Sequence, residues 1–84
     1  MEERIGSVFK YFEKNSVAAI KIDFGDLSVG DMIRVKGNDT NFTQKVDAME
    51  FDHKPIEKVT RGQFAGIKLS HPAKPFDLVY KIKG

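Results

Sequence analysis

Two glycines in the stretch Gly25-Asp26-Leu27-Ser28-Val29-Gly30-Asp31 have the G-x-x-x-x-G spacing that phosphate-binding loops use. In such a loop the second glycine is followed by lysine and then serine or threonine, because the lysine binds the outer phosphates and the hydroxyl binds magnesium. Here Asp31 and Met32 follow Gly30, and an aspartate at this position would repel a triphosphate. The stretch is therefore predicted to be a turn that tucks Leu27 and Val29 under the sheet, and no nucleotide binding is expected.

Acidic and histidine side chains close to each other in sequence could supply the oxygen and imidazole ligands of a metal ion: Asp47, Glu50, Asp52 and His53. No second histidine lies nearby, because His71 lies in a separate proline-containing loop, so charged residues flanking a bulge are the preferred interpretation. The chain has no cysteine, and Ser70-His71 lacks a nucleophile motif. No metal, no cofactor and no enzymatic activity are therefore predicted.

The composition is typical of one globular domain spanning residues 1–84. Of the residues, 40% are hydrophobic and 31% are charged, with a net charge of +2. A chain this short cannot divide its apolar residues between two stable cores, and without cysteine its stability must come from packing. The N-terminal residues do not form a secretory signal and no stretch reaches membrane-spanning length, so a cytoplasmic protein with no membrane partner is expected.

Short runs of β-branched and aromatic residues, separated by turn signals, predict an all-β fold without a helix of ordinary length. Strands are predicted at 5–12, 16–23, 31–36, 42–51, 63–69 and 76–82, with a bulge in the fourth. Residues 53–55 are predicted to be extended or turning, because the residue before a proline avoids the helical region, and residues 56–62 are predicted to form a loop that could contain one helical turn. Closure into an antiparallel barrel is favoured, because it removes the exposed edges of so small a sheet. Four glycines are assigned to structural turns: Gly25, Gly30, Gly62 and Gly66.

Alternation along the middle strands predicts a basic outer face. Ile20, Ile22, Ile33, Val35 and Val46 are expected to point inward, which turns four cationic residues outward on three consecutive strands that should pair as hairpins: Lys21, Arg34, Lys36 and Lys45. Such a stripe could follow a phosphate backbone, although solvated lysines on a barrel surface would look the same. Among Phe9, Tyr11 and Phe12 at least one ring must face outward, where it could stack on a base or cover the barrel end.

Three segments in this order, 22–33, 46–49 and 61–69, resemble the second domain of translational GTPases such as elongation factor Tu and initiation factor two. That family carries G-x-(L/I)-x-V-G-(D/E), then a methionine before a loop, then G-(D/E/Q)-x-x-G-(I/V)-x-L. The chain is also similar to small stand-alone elongation-factor-like proteins and to the C-terminal domain of collagenase-like peptidase-family proteins associated with RNA hydroxylation. With the latter it shares the residues around His53-Lys54-Pro55.

The resemblance implies a closed six- or seven-stranded antiparallel β-barrel of the translation-factor domain 2 type. The family's GTPase site lies in another domain, so no GTP hydrolysis is implied. In the factors this barrel contacts ribosomal RNA and forms a pocket for the aminoacyl end of tRNA, which segments 8–11 and 51–54 would border here. The chain departs from the family at 13–16, where the factors have a Gly-Arg-Gly type turn.

Two functions are consistent with these observations. In the first, the domain binds tRNA, ribosomal RNA or the ribosome, with Lys21, Arg34, Lys36 and Lys45 on phosphates and with His53, Lys54 and Phe9 on a tRNA end or base. In the second, it is an adaptor that docks to an enzyme or a factor through apolar groups such as Phe51, Ile56 and Phe64, and the lysines serve only solubility.

Overall fold

This computed structural model describes residues 1–83, and Gly84 of the predicted domain lies outside the described residues. Strands make up all of its regular structure. The described range contains no helix, and therefore none that could cross a membrane. The all-β prediction is confirmed. The strands are β1 (Glu2–Phe12), β2 (Val17–Ile22), β3 (Asp26–Ser28), β4 (Met32–Lys36), β5 (Asn41–Lys45), β6 (Met49–Phe51), β7 (Lys54–Ile56), β8 (Lys58–Thr60), β9 (Phe64–Lys68) and β10 (Leu78–Ile82).

Eight of these strands form one antiparallel sheet in the order β5-β4-β10-β1-β2-β9-β6-β7, and β3 pairs with β8 in a small second sheet. The end strands β5 and β7 do not pair with each other, so the predicted closure into a barrel is not confirmed. The side chain of Gln44 in β5 instead connects this end strand to the end of β9. The amide of Gln44 donates to the Lys68 carbonyl at 2.9 Å and accepts from the Ser70 N–H at 2.7 Å, which ties β5 to the end of β9.

The predicted inward-facing residues form the core. Ile20, Ile22, Ile33, Val35 and Val46 are all fully buried, and they belong to one apolar cluster that also contains Leu27 and Val59 from the small sheet. Burying an aliphatic side chain of this size stabilises the fold by roughly 1.5–3 kcal/mol. The period-two pattern therefore assigned the faces of β2 and β4 correctly, because one side of each strand must leave water.

The segment from 42 to 62 differs from its prediction. Residues 42–51 are not one bulged strand, because β5 ends at Lys45 and β6 begins only at Met49, with Val46 and Met49 both buried. Residues 53–55, predicted to be extended or turning, lie in the β6–β7 turn and in β7, whereas the expected loop at 56–62 contains β8. Strands of three residues are too short to show an alternation, so only their pairing with other strands defines them.

Bulges occur in β1 rather than in the predicted place. Val8 pairs with Ile20 and Lys10 pairs with Ala19, so Phe9 is an extra residue between two ladder positions. A bulge reorients the side chain at the extra position. This explains why the Phe9 ring is 63% exposed although Val8 beside it is buried.

Ion pairs between the two sheets make stability sensitive to acid. The Asp26 carboxylate lies 3.1 Å from Nζ of Lys81 in the main sheet and 3.4 Å from Nζ of Lys58 in β8. The hydrogen bond from Lys81, and then that from Lys58, holds the pKa of Asp26 below its ordinary value of 3.8. A carboxyl with a lowered folded pKa stabilises the fold above its unfolded pKa, and this contribution is lost as the pH falls through the folded value.

We therefore expect the urea midpoint, followed by far-UV circular dichroism, to fall as the pH is lowered from about 5 to about 3. In Asp26→Asn the fall should be smaller, because the residue that gains the proton is absent. Asp47→Asn is the matched control, since it removes an exposed carboxylate that makes no ion pair within residues 1–83. Parallel pH profiles for the wild type and Asp26→Asn would contradict this assignment.

Candidate functional site

The four cations of the predicted stripe do not lie together. Lys21 is on β2, Arg34 and Lys36 are on β4, and Lys45 is on β5. Strands β10 and β1 separate β2 from β4 in the sheet, so the expectation of three consecutive paired strands is wrong. The reason is that β10, from the end of the chain, pairs with both β1 and β4. Long-range pairing of this kind leaves no local signal in the sequence.

Arg34 is occupied within the sheet. Its Nε donates to Oε2 of Glu2 at 2.8 Å, and its Nη1 donates to Oδ1 of Asn41 at 3.0 Å. Lys36 and Lys45 are exposed on opposite ends of the β4–β5 hairpin. These positions give no continuous track for a phosphate backbone.

Of the other three predicted contacts, two lie at the β6–β7 turn and Phe9 lies in β1. His53 and Asp52 form the two-residue turn between β6 and β7, with φ of 62° and 54°, and Lys54 begins β7. Positive φ at both central positions is the geometry of the tight turns that fit twisted hairpins. The Phe9 ring packs edge-on against Phe64 of β9 with centroids 5.3 Å apart.

The G-x-x-x-x-G stretch from Gly25 to Gly30 forms turns and a short strand, and not a phosphate-binding loop. Gly25, Gly30 and Gly62 have positive φ, whereas Gly66 lies inside β9 and not in a turn. The N–H of Ser28 donates to the Asp31 carboxylate at 2.8 Å, and the N–H of Gly30 donates to the carbonyl of Val46. These N–H groups are therefore satisfied within the fold and are not free to surround a phosphate.

The candidate metal ligands do not converge. Within residues 1–83 no three His, Asp or Glu side chains are grouped so that they could hold a metal ion. Asp47 lies beside Lys45 and Lys68, away from Glu50 and His53. His71 stacks on Phe42 with ring centroids 5.0 Å apart.

Apolar side chains instead form a cleft that is open to water, which we call the aromatic cleft. It consists of two depressions of about 240 and 310 Å³ that share Phe51 and Phe64 as lining. Ile56 and Val59 line the first depression, whereas Phe12 and Val17 line the second. Phe51 is 55% exposed and Phe12 is 43% exposed, so the cleft presents aromatic surface to water.

The floor of the aromatic cleft consists of small residues and one acidic side chain. Ala19 of β2 pairs with Gly66 of β9, and Glu50 of β6 pairs with the same glycine from the other side. The Glu50 side chain lies over Gly66, with its Cγ 3.2 Å from the position that a β-carbon on this glycine would occupy. The cleft therefore has aromatic walls, Phe51 and Phe64, and a partly acidic floor.

Cationic side chains surround a third depression next to the aromatic cleft. Arg4, Lys21 and Arg61 line this space of about 480 Å³ together with Asp23 and Phe24, and the Arg4 guanidinium lies 5.8 Å from the Phe24 ring centroid. Gly62 lines both this depression and the first part of the aromatic cleft. We call Arg4, Lys21 and Arg61 the cationic cluster.

Comparison with known proteins gives relatives of one kind. The chain is 36% identical over 80 residues to an uncharacterized protease of Methanocaldococcus jannaschii and 33% identical over 78 residues to a collagenase of Porphyromonas gingivalis. These alignments cover 94% and 92% of this chain but only 19% and 22% of the relatives, so the chain spans about a fifth of their length. No protein-family model matches.

Solved structures agree with these relatives. The crystal structure of the C-terminal domain of a Geobacillus thermoleovorans protein assigned to the U32 peptidases superposes with a TM-score of 0.88 at 20% identity, covering 96% of this chain and 93% of that one. A selenomethionine variant of the same domain gives a TM-score of 0.85 at 21% identity, with 92% and 96% covered. The chain is similar to one domain of the U32 peptidase and collagenase proteins.

The likeness to U32 proteins corrects three expectations. The collagenase-like part of the sequence resemblance is supported, whereas the assignment to domain 2 of translational GTPases is not. The expectation of a translation-factor-like, RNA-binding domain is contradicted by the same relatives. The prediction that the chain is not an enzyme is also wrong at the level of the family, because the relatives are named protease and collagenase. The glycine motifs reflect turn geometry that unrelated β-folds share, and this explains the error.

Sequence reasoning found part of the aromatic cleft and missed the rest. Phe51, Ile56 and Phe64 were expected to form an apolar docking surface, and the structure places all three around one depression. The floor residues Ala19 and Gly66 were missed, since each looks unremarkable without its cross-strand partner. Arg4 and Arg61 were missed because 57 positions separate them in the chain.

Proposed function

We propose that this chain is a docking domain that binds an extended polypeptide segment in the aromatic cleft and serves a peptidase of the U32 type. The observation that carries the proposal is the aromatic surface of exposed Phe51 and half-buried Phe64 beside the floor of Ala19, Gly66 and Glu50. Aromatic residues in concave, partly desolvated positions contribute most of the energy of protein recognition. The names of the relatives, protease and collagenase, support a polypeptide as the ligand class.

An extended segment suits the shape of the aromatic cleft better than a folded surface does. The two depressions together have room for a few side chains and are adjacent, since Phe51 and Phe64 line both. The free edge at β7 is less suitable as a docking site, because Pro55 in this strand has no N–H to offer an added strand. The free edge at β5 contributes no residue to the aromatic cleft. The ligand is therefore proposed to lie in the cleft and not along an edge strand.

The test is an NMR titration of the ¹⁵N-labelled protein with peptides selected from a random twelve-residue phage library. We expect the amide signals of Phe51, Phe64 and Gly66 to shift. Phe51→Ala and Phe12→Ala should each weaken binding by about tenfold, which corresponds to about 1.4 kcal/mol per lost aromatic contact. Both rings are exposed, so neither change should unfold the protein.

Phe76→Ala is the matched control, because the Phe76 ring is 87% exposed and lies outside the aromatic cleft. Its affinity for the same peptides should equal that of the wild type. Failure to select any peptide, or shifts confined to residues away from the cleft, would refute a polypeptide-docking function. Binding of bulk tRNA by a protein that selects no peptide would refute it as well.

A further inference from the structure

Building on the proposed function, we infer that the polypeptide held in the aromatic cleft is acidic next to its apolar anchor, and that the cationic cluster of Arg4, Lys21 and Arg61 binds that carboxylate. The partner is an unfolded or extended protein segment in which glutamate or aspartate lies close to a large apolar residue. Three observations support this partner: the cationic cluster adjoins the aromatic cleft, its cations form no ion pairs among the described residues, and carboxylates line the rest of the cleft.

The cationic cluster and the aromatic cleft are continuous. Lys21 on β2 pairs directly with Phe64 on β9, so the two side chains lie side by side on the same face. Neighbouring strands are about 4.8 Å apart and an extended peptide advances about 3.3 Å per residue. An acidic residue one or two positions from an apolar side chain resting on Phe64 therefore reaches Lys21. Arg61 lies next to Gly62, which lines both spaces.

The charges of the cluster are not neutralised by ion pairs. In the part of the chain that the structure describes, six ion pairs use Arg34, Lys58, Lys74, Lys81 and Lys83, and none uses a residue of the cationic cluster. Asp23 is the one carboxylate that lines the same depression. Three cations around one depression create a local positive potential that attracts an anion.

Acidic residues in the aromatic cleft favour a peptide over a nucleic acid. Glu50 and Asp52 line the second depression, which no residue of the cationic cluster lines. A polyanion that followed the cleft from the cluster would meet these carboxylates and be repelled. A peptide needs negative charge only where it lies over Lys21. The rest of the peptide can be uncharged where it passes Glu50 and Asp52.

Three labelled nine-residue peptides test the inference. They share two leucines and differ only at two neighbouring positions, which are glutamate, glutamine or lysine. In NMR titrations at low salt the glutamate peptide should bind at least fivefold more tightly than the glutamine peptide, and the lysine peptide more weakly than both. The advantage of glutamate should shrink in 0.5 M salt, because exposed charges are screened over a few ångströms there.

A charge-matched pair of variants locates the effect. Lys21→Gln combined with Arg61→Gln should abolish the preference, so that the variant binds the glutamate and the glutamine peptide with equal affinity. Lys36→Gln combined with Lys45→Gln removes the same charge from exposed positions outside the cleft and should retain the preference.

The outcomes separate the two proposals. Equal affinity for the three peptides, with shifts at Phe51 and Phe64, would overturn the acidic preference and leave the docking function standing. Binding of none of the three would count against the docking function itself. Stronger shifts of the same amides by polyuridylate than by the glutamate peptide would overturn the inference in favour of a nucleic acid.

Discussion

Replacing Gly6 by alanine is expected to lower the free energy of unfolding by about 3 kcal/mol or more, at the upper end of what an added methylene costs in a packed core. Gly6 is buried in β1, where it pairs with Val79 of β10 on one side and with Ile22 of β2 on the other. A β-carbon at this position would overlap the carbonyl oxygen of Lys21. This neighbour is backbone in the middle of the sheet and cannot rotate away, so the strands must separate.

Urea unfolding followed by far-UV circular dichroism measures this effect. Gly30→Asn is the control for the loss of a glycine, because Gly30 has a φ of 98° and no atom within 4 Å of an added β-carbon. Asparagine tolerates positive φ better than most residues, so this change should cost less than about 1 kcal/mol. A Gly6→Ala protein as stable as the wild type would show that β1 and β2 are not as close as described.

Leu27→Ala should destabilise the protein by about 2–5 kcal/mol, the range found for a buried leucine that leaves a cavity. Leu27 is fully buried in β3, where it pairs with Val59 of β8. The small β3–β8 sheet contributes both side chains to the single apolar cluster. The loss should therefore appear as one cooperative transition at lower urea concentration, and not as separate melting of the small sheet.

Val29→Ala is the matched control two positions away. The prediction that Val29 would pack under the sheet with Leu27 is wrong, since Val29 is 39% exposed. Its truncation should change stability by less than about 1 kcal/mol, as is usual for surface positions. Equal effects of Leu27→Ala and Val29→Ala would contradict the burial of β3.

The expected effects on stability and on binding separate because they belong to opposite faces of the same sheet. Ala18 and Ile20 of β2 point into the core, whereas Ala19 and Lys21 lie on the face that carries the aromatic cleft. Changes to exposed rings such as Phe51 should therefore alter ligand affinity with little change in unfolding free energy. The reverse holds for Gly6 and Leu27.

Much of the fold could be predicted from local patterns. The alternation of Ile20 and Ile22 with Lys21, and of Ile33 and Val35 with Arg34, identified two strands and their inner faces, because an inward aliphatic and an outward cation can satisfy only one orientation. The turn role of Gly30 followed from the aspartate after it and from the tolerance of glycine for positive φ. The apolar groups Phe51, Ile56 and Phe64 were likewise recognisable as candidates for a binding surface.

Other features had no local signal. Strands β3 and β8 are three residues long, and they exist because each completes the hydrogen bonds of the other from a distant part of the chain. Arg34 looked like a free cation, but its pairing with Glu2 depends on the position of β1 two strands away from β4. Closure into a barrel was expected from the general cost of open edges, whereas in the structure the Gln44 side chain makes the connection between β5 and the end of β9.

The sequence by itself determined an all-β chain with one core, because alternation and turn chemistry act over a few residues. Only the tertiary structure decided which outward side chains become neighbours. The insertion of β10 between β1 and β4 dispersed the expected basic stripe, and the pairing of Ala19 with Gly66 made the floor of the aromatic cleft. Strand order in a sheet depends on contacts between residues far apart in the chain, whose entropic cost and packing gain are settled only when the whole domain folds.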